Sequence, residues 1–248
     1  MSSNTVYLVS GANRGIGLGL VKALVARDNV LVFAGARDVA SASNLHAVSK
    51  AHPGKLHIVK LESASKEDGE AAAALVEKVA GHIDVIIANA GIADTWATAH
   101  EVPIPEVERH FKVNAVGPLV LFQAFYALLK AAPGTPKFVV ISTFVGSIAT
   151  GAAAPLGLSA YGPSKAAVNF ITRKIHFENE HLISFSINPG AVDTDALKAA
   201  SLLDPIIAAL PKITVEQSVE GLLARVDEAT REKTGGTFLG YEGDTIPW

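Results

Sequence analysis

The sequence predicts an α/β domain, built as one doubly wound parallel β-sheet with helices on both faces. Short apolar runs alternate with longer segments of helical apolar spacing along the whole chain of 248 residues. The short runs are continuously apolar, which is typical of strands buried on both faces. No linker, repeat or low-complexity segment interrupts the alternation, so residues 1–248 are expected to form a single domain.

The elements follow in chain order from these runs and from the spacing between them. Apolar runs predict strands at residues 6–9, 30–34, 56–61, 83–88, 137–142, 182–187 and 237–239. Apolar residues at helical spacing predict helices at residues 16–25, 67–80, 106–130, 159–179 and 215–228. The segment 192–213 is loop-rich and apolar, with short helices. It is expected to be a mobile lid over the substrate or a plain surface helical hairpin.

Composition narrows the class of protein. Apolar residues make up 49% of the chain, which is enough for a packed core. The net charge is −3 without a lysine or arginine cluster, so neither nucleic acid nor a membrane is an expected partner. The absence of cysteine excludes disulfides, thiolate nucleophiles and cysteine-ligated zinc. No signal-peptide pattern precedes the first strand and the apolar run 119–129 is too short to span a bilayer, so a cytoplasmic protein is expected.

The candidate ligand-binding motifs follow directly after predicted strands, where parallel sheets of this kind bind their ligands. Gly11, Gly15 and Gly17 lie between the first strand and the first helix. Glycine permits positive φ and close backbone approach, and the helix N-terminus offers N–H groups to a pyrophosphate. A tight turn that binds nothing is the alternative. The other motifs at this edge are residues 36–37, 62, 89–91, 142–143 and 189–194.

Charged residues near the glycines indicate which dinucleotide would bind. An acid after the second strand would favour NAD, whereas arginine accommodates the 2′-phosphate of NADP. Arg37 follows that strand and Arg14 lies inside the glycine turn, so NADP(H) is the predicted cofactor. It stays open that both arginines are merely solvated and that Asp38 serves as the acid. Glu62 could accept a hydrogen bond from the adenine amino group or cap the next helix.

Tyr161 and Lys165 form the candidate catalytic pair, because residues four apart lie on one face of a helix. Pro163 is tolerated only near the start of a helix, which places Tyr161 there. An ordinary phenol has a pKa of about 10, too high for efficient proton transfer at neutral pH, and a nearby ammonium lowers that pKa. Lys165 is therefore expected to tune Tyr161. The spacing alone is weak evidence, since it occurs by chance on many helices.

Taken together, these residues resemble the classical short-chain dehydrogenase/reductase superfamily, with its Rossmann-type sheet. The resemblance implies NADPH-dependent reduction of a ketone or aldehyde carbonyl, reversible as alcohol oxidation. The apolar segment 192–213 and aromatic residues after the strands favour a small hydrophobic substrate. Residues 236–248 resemble the end of a carbonyl-reductase subgroup. More loosely, the chain is similar to fungal polyketide ketoreductases of the norsolorinic acid type. The residues that carry the resemblance are Gly11, Gly15, Gly17, Asn89, Ala90, Gly91, Asn114, Tyr161, Lys165, Pro189, Gly190, Val192 and Thr194.

The resemblance also implies roles for single residues. Tyr161 would protonate the carbonyl oxygen, Lys165 would also hold the nicotinamide ribose, and Asn114 would anchor a relay water. The family usually orients the carbonyl with serine; here the matching residue is Thr143, with Ser142 and Ser147 as alternatives. The expected cofactor contacts are Gly11, Asn13, Arg14, Gly15, Ile16, Gly17, Arg37, Glu62, Asn89, Ala90, Gly91, Tyr161, Lys165, Pro189, Gly190, Val192 and Thr194.

Three further expectations concern the long helices, metals and alternative functions. Pro118 cannot donate to the carbonyl of Asn114, so a kink is expected there, with a water shared with Lys165 or bulk water as the partner. The stretch 119–129 is apolar almost all round, which predicts a homo-oligomer (dimer or tetramer) unless the long helices cover each other. The histidines lack ligand spacing, so no metal site is expected. The alternatives to a reductase are a non-catalytic NADP-binding sensor or scaffold, and an isomerase or cyclase using the same site.

Overall fold

The computed structural model describes residues 4–248. Its strands form one seven-stranded parallel sheet in the order β3-β2-β1-β4-β5-β6-β7. The strands are β1 (Thr5–Val9), β2 (Val30–Ala36), β3 (Leu56–Lys60), β4 (Val85–Ala88), β5 (Lys137–Ile141), β6 (Ile183–Asn188) and β7 (Phe238–Gly240). The strand order reverses between β1 and β4, so the crevice where such sheets bind ligands opens there.

Nine α-helices connect the strands within the described residues. They are α1 (Gly15–Val25), α2 (Ser43–Ala51), α3 (Lys66–Ala80), α4 (Ile104–Phe111), α5 (Gly117–Lys130), α6 (Tyr161–Glu178), α7 (Asp195–Ser201), α8 (Pro205–Ala209) and α9 (Val215–Glu228). The predicted strands and helices are confirmed, with small shifts at their ends. Helix α2 was not predicted, because only Leu45 and Val48 form its buried face and the periodic signal is correspondingly short.

Two hydrophobic layers cover the sheet, one on each face. Every residue of β2 is buried, as expected for a strand with helices on both sides. On one face, Leu20 of α1 packs in the same cluster as Leu222 of α9. On the other face, Phe125 of α5 packs with Ile175 of α6. The doubly wound arrangement predicted from the continuous apolar strands is therefore confirmed.

The helix that contains Asn114 departs from regular geometry just before Pro118. Residues Lys112–Val116 form a π-helical turn between α4 and α5, in which the N–H of Gly117 donates to the carbonyl of Lys112. Proline has no N–H to offer Asn114, and the backbone hydrogen bonds shift by one residue ahead of it. The disturbance predicted from Pro118 is thus found as a π turn.

The continuous segment Ile104–Lys130 is long and apolar enough, by length and composition, to cross a membrane. The run 119–129, which the sequence analysis judged too short to span a bilayer, is only part of this segment. Half of the most apolar stretch of this segment is buried inside the protein. Buried core helices have the same length and apolar composition.

The apolar surface of α5 packs against another helix of the same chain. Helix α3 packs on α5, and a Cβ added at Gly69 would lie 3.1 Å from the Cβ of Ala124. Small residues at this contact bring the two helices close together. The observation that predicted an oligomer is thus explained by α3, whereas the sequence analysis had considered only the two long helices. The oligomeric state itself stays a prediction.

Candidate active site

Three glycines shape the turn between β1 and α1. Gly11 and Gly15 adopt positive φ, at 63° and 54°. A Cβ on Gly11 would lie 2.8 Å from the Cα of Ala90, and a Cβ on Gly17 would collide with the Gly11 carbonyl oxygen. Each position therefore requires glycine. No side chain caps the start of α1, so its first N–H groups are available to an anion.

Asn89 and Ser10 fix this turn against the end of β4. The Asn89 amide Nδ2 donates to the carbonyls of Ser10 and Gly11, at 3.0 and 3.1 Å. The Ser10 hydroxyl oxygen accepts from the N–H groups of Asn89 and Ala90, both at 3.0 Å. Sequence reasoning missed Ser10, although a hydroxyl directly before the first glycine was a usable signal.

The segment after β6 approaches the same turn. Gly190 has a φ of 82°, and the Ser218 hydroxyl donates to the Pro189 carbonyl at 2.7 Å. Val192 is buried. Thr194 caps α7, and its methyl carbon would lie 3.4 Å from a Cβ on Gly15. The structure therefore brings together the glycine turn, the end of β4 and the start of the 192–213 segment.

Arg14 and Arg37 are both exposed at this edge. Within residues 4–248, neither guanidinium forms an ion pair. Asp38 accepts from the Ala40 N–H at 3.0 Å, and hydrogen bonds from the Ser41 side chain and that N–H lower the pKa of Asp38. Its carboxylate is therefore occupied locally, which favours the two arginines over Asp38 as the groups that discriminate the cofactor.

Glu62 lies exposed beside a shallow cleft at the ends of β1, β3 and β4. The next helix, α3, is capped by Ser65, whose hydroxyl accepts from the Asp68 N–H at 3.2 Å. The interpretation of Glu62 as a helix cap is therefore wrong. Asp68 instead accepts from the backbone N–H of Glu62 at 3.0 Å, which holds the residue at the cleft. Its contact with adenine stays a prediction.

Tyr161 and Lys165 lie one turn apart at the start of α6, as the sequence predicts. Tyr161 is half-buried and Lys165 is buried. The Lys165 Nζ donates to the carbonyl of Ile141 at 2.8 Å and lies 5.8 Å from the centroid of the Tyr161 ring. A Cβ on Gly91 would lie 3.5 Å from the same Nζ. The ammonium thus sits between the ends of β4 and β5.

Burial determines the acidity of both groups. It raises the pKa of Tyr161 to about 12 and lowers the pKa of Lys165 to about 8. The expectation that Lys165 lowers the pKa of Tyr161 is therefore wrong for the chain by itself. Burial removes water from the phenolate, and this loss of hydration is the cause that raises the pKa of Tyr161. Tyr161 is consequently protonated at neutral pH, the form required of a proton donor.

Asn114 connects the loop after β4 to α6. It is fully buried; its Oδ1 accepts from the Ile92 N–H at 2.8 Å. Its Nδ2 donates to the Ile92 carbonyl at 2.9 Å and to the Ser164 hydroxyl at 3.0 Å. Ser164 in turn donates to the Tyr161 carbonyl at 2.6 Å. Sequence reasoning considered only the main chain of Asn114, and it missed both this side-chain network and Ser164.

The three candidate hydroxyls after β5 differ in what they bond. Thr143 is half-buried, and its oxygen accepts from the Val145 N–H at 3.4 Å, which leaves its proton free to donate. Ser142 is buried, without a hydrogen-bond partner among the described residues. Ser147 is buried and donates to the Pro247 carbonyl at 2.6 Å. Its hydroxyl is thus used within the fold, and Thr143 remains the strongest candidate for orienting a carbonyl.

A further polar cluster is formed by the loop after β4 and by α4. Ligand-type atoms of Asp94, Glu106 and His110 lie within 4.8 Å of one another. The Arg109 guanidinium bonds both carboxylates, with 2.9 Å between its Nε and Glu106 Oε2. Its hydrogen bonds lower the pKa of both Asp94 and Glu106. The carboxylates are thus committed to an ion-pair network that the sequence analysis did not find.

A glycine turn and a Tyr–Lys pair with a buried lysine, at the carboxyl edge of a parallel sheet, are together typical of a short-chain dehydrogenase. The family model described as short chain dehydrogenase matches residues 5–202, and the chain belongs to this family. The resemblance drawn from the motifs is confirmed.

Relatives that are named for their activity match over nearly the whole chain. The chain is 42% identical to norsolorinic acid ketoreductase nor1 of Dothistroma septosporum, across 100% of this chain and 94% of that one. It is 40% identical to the norsolorinic acid ketoreductase of Aspergillus parasiticus, across 98% and 91%. Among solved structures, NADPH-bound carbonyl reductase from chicken fatty liver is similar at 31% identity and a TM-score of 0.86, with both chains fully covered.

Proposed function

We propose that this protein is an NADPH-dependent carbonyl reductase that reduces a ketone or aldehyde and, in reverse, oxidises the alcohol. One observation carries the proposal. A protonated phenol, Tyr161, lies beside the buried ammonium of Lys165, which itself approaches Gly91 after β4, where Asn89 holds the glycine turn that would bind a dinucleotide. The similarity to ketoreductases and to an NADPH-bound carbonyl reductase supports the same activity.

The residues at the crevice fit NADP(H). The open N–H groups of α1 suit the pyrophosphate, Arg14 and Arg37 suit the 2′-phosphate, and Glu62 suits the adenine amino group. The remaining contacts proposed for the riboses and the nicotinamide are Asn13, Ile16, Asn89, Ala90, Gly91, Lys165, Pro189, Gly190, Val192 and Thr194. When bound, the cofactor supplies the hydride that the carbonyl carbon receives.

The chain itself supplies the proton and holds the substrate oxygen. Tyr161 donates its hydroxyl proton to the carbonyl oxygen as negative charge develops there. Thr143 donates a second hydrogen bond, which orients the carbonyl and stabilises the same charge. The Lys165 ammonium stabilises the phenolate that Tyr161 becomes. Asn114 holds Ile92 and Ser164 beside the pair, and a relay water at its carbonyl is the path we propose for reprotonation.

The decisive experiment follows NADPH oxidation at 340 nm (the absorbance of the reduced nicotinamide) across aliphatic and aromatic ketones and aldehydes, with NADH for comparison. Tyr161→Phe is expected to bind NADPH normally but to lose turnover by about a thousandfold. Tyr126→Phe serves as the control, because Tyr126 is a partly exposed tyrosine on α5. Undiminished turnover in Tyr161→Phe would refute the mechanism.

The same assay separates the alternatives. A sensor or scaffold would bind NADPH without turning over any carbonyl, and an isomerase or cyclase would convert substrate without net NADPH loss. The presence of Tyr161, Lys165, Asn114 and a hydroxyl at Thr143 favours the reductase.

We also propose that residues 192–213 close over the substrate as a lid. Leu202 and Leu203 are 88% and 64% exposed, and Ile206 is 42% exposed. Such an apolar surface suits a small hydrophobic carbonyl compound. Polar replacement of Leu202 and Leu203 is expected to raise KM for apolar substrates more than for polar ones. Equal KM changes for both kinds of substrate would contradict a lid that contacts them.

A homo-oligomer in the cytoplasm remains our prediction for the working form. Phe170 and Phe177 on α6 are 70% and 61% exposed, and they lie two turns apart on the same helix. A second copy of the chain would remove this apolar surface from water. Light scattering of the purified protein decides between monomer, dimer and tetramer.

A further inference from the structure

Residues 244–248 form a segment that we call the tail strap. It runs back along the edge strand β7, where Leu239 and Thr245 form an antiparallel bridge. The Ile246 N–H donates to the Phe238 carbonyl at 2.8 Å, and the Gly240 N–H donates to the Asp244 carbonyl at 2.8 Å. The tail strap is therefore fixed to the sheet by main-chain hydrogen bonds.

The strap also bonds the loop that follows Thr143. The Ser147 hydroxyl donates to the Pro247 carbonyl at 2.6 Å. The Ala149 N–H donates to the carbonyl of Trp248 at 2.9 Å. The Ser147 oxygen accepts from the N–H of Thr150 at 3.1 Å as well, which closes the loop on itself. Two hydrogen bonds from the loop thus end on the strap.

Aromatic stacking anchors the end of the strap. The Trp248 ring stacks on Phe238, with 5.8 Å between ring centroids and 28° between planes. The Arg173 guanidinium lies 5.1 Å from the Trp248 ring centroid and 5.3 Å from that of Phe177. Stacking on a guanidinium and an aromatic ring holds the indole in place. The strap is thereby tied to both β7 and α6.

The loop that the strap holds lies directly against the catalytic pair. A Cβ on Gly146 would lie 2.9 Å from the Cβ of Lys165. The Asn169 Nδ2 donates to the Gly146 carbonyl at 3.3 Å. Thr143 is the residue immediately before this loop and caps its first turn. A shift of the loop would therefore change the position of Thr143 relative to Tyr161 and Lys165.

We infer that the tail strap positions Thr143 for carbonyl reduction, and that Ser147 and Trp248 are positioning residues that act through the loop 144–150. The inference rests on the proposed function, because it concerns the geometry of that reaction. The glycine turn, which would hold the pyrophosphate, makes none of these contacts, so loss of the strap should affect the chemical step far more than NADPH affinity. Loss of the strap would misplace Thr143, and small displacements of a catalytic group lower kcat steeply.

Four variants test the inference in the whole 248-residue chain. Ser147→Ala removes one bond to the strap, and Trp248→Ala removes the anchor. Trp248→Phe keeps a ring for Phe238 and Arg173 and should restore activity. Ser49→Ala is the matched control, because the Ser49 hydroxyl also donates to a main-chain carbonyl, that of Leu56, but lies on α2. The measurements are kcat, KM, NADPH affinity by fluorescence titration, melting temperature, and hydrogen exchange at the Ala149 amide.

We expect Ser147→Ala and Trp248→Ala to lower kcat about tenfold, with NADPH affinity within twofold of wild type and faster exchange at Ala149. Trp248→Phe and Ser49→Ala should keep a kcat close to that of wild type. The inference is overturned if Ser147→Ala, folded and NADPH-bound, turns over at the wild-type rate, or if NADPH affinity falls in parallel with kcat. If Trp248→Ala does not fold, Ser147→Ala alone decides. A wild-type protein that reduces no carbonyl would instead overturn the proposed function.

Discussion

Replacing Lys165 with methionine should stabilise the protein measured without added cofactor, while abolishing carbonyl reduction. Burial lowers the pKa of Lys165 from 10.5 to about 8, so the folded state disfavours the ammonium. A tenfold change in a protonation equilibrium corresponds to about 1.4 kcal/mol, so this difference costs roughly 3 kcal/mol at pH 7. Methionine fills a similar volume without charge. It leaves the Ile141 carbonyl without its donor, which costs about 1 kcal/mol. The expected net gain is about 2 kcal/mol.

The stability gained by Lys165→Met should decrease as the pH rises. Below about pH 8 the lysine is charged in both the folded and unfolded states, and the full cost of burial is present. Between about pH 8 and 10.5 the folded state releases the proton while the unfolded state keeps it, so the cost disappears. The wild-type free energy of unfolding should therefore rise relative to Lys165→Met, by about 2 kcal/mol between pH 7 and about 9.5.

Urea denaturation at fixed ionic strength, followed by circular dichroism, measures this difference. Staying below about pH 9.5 avoids the ionisation of unfolded tyrosines. Lys174→Met is the control, because Lys174 lies on the same helix with a side chain that is 60% exposed. Parallel stability–pH profiles for wild type and Lys165→Met, or a variant less stable than wild type at pH 7, would refute the reasoning from burial.

Three further predictions concern the cofactor and the proton. Gly17→Ala should abolish NADPH binding and destabilise the fold by about 1–3 kcal/mol, because its Cβ collides with the Gly11 carbonyl. Gly134→Ala is the control, because a Cβ there meets nothing within 4 Å, and it should change stability by less than about 0.5 kcal/mol. Equal melting temperatures for Gly17→Ala and Gly134→Ala would contradict the predicted clash at Gly17. The double variant Arg14→Ala/Arg37→Ala should lower kcat/KM with NADPH about a hundredfold and leave kcat/KM with NADH unchanged. Parallel losses with both cofactors would exclude recognition of the 2′-phosphate by these arginines. Carbonyl reduction should fall above about pH 8 as Lys165 loses its proton, and Lys165→Arg should remove that fall from its pH–rate profile. An unchanged alkaline limb in Lys165→Arg would assign it to another group.

The local pattern of the sequence was enough to predict most of the architecture. Continuous apolar runs such as β2 have to be buried on both faces, and alternation with helices then makes the sheet parallel. The glycine turn was predictable because positive φ at Gly11 and Gly15 favours that residue type. Helix α2 was not predicted, because its two buried side chains are too few to form a periodic pattern.

The properties that depend on distant neighbours were decided only by the tertiary structure. Ser147 and Pro247 are 100 positions apart, and no local pattern links them. The partner of the apolar helix α5 is α3, a contact that periodicity alone does not assign. The acidity of Tyr161 was predicted in the wrong direction, because spacing brings Lys165 near while burial of the phenol depends on the whole fold. Sequence periodicity determines which side chains leave water, but desolvation and long-range hydrogen bonds depend on the residues they then meet.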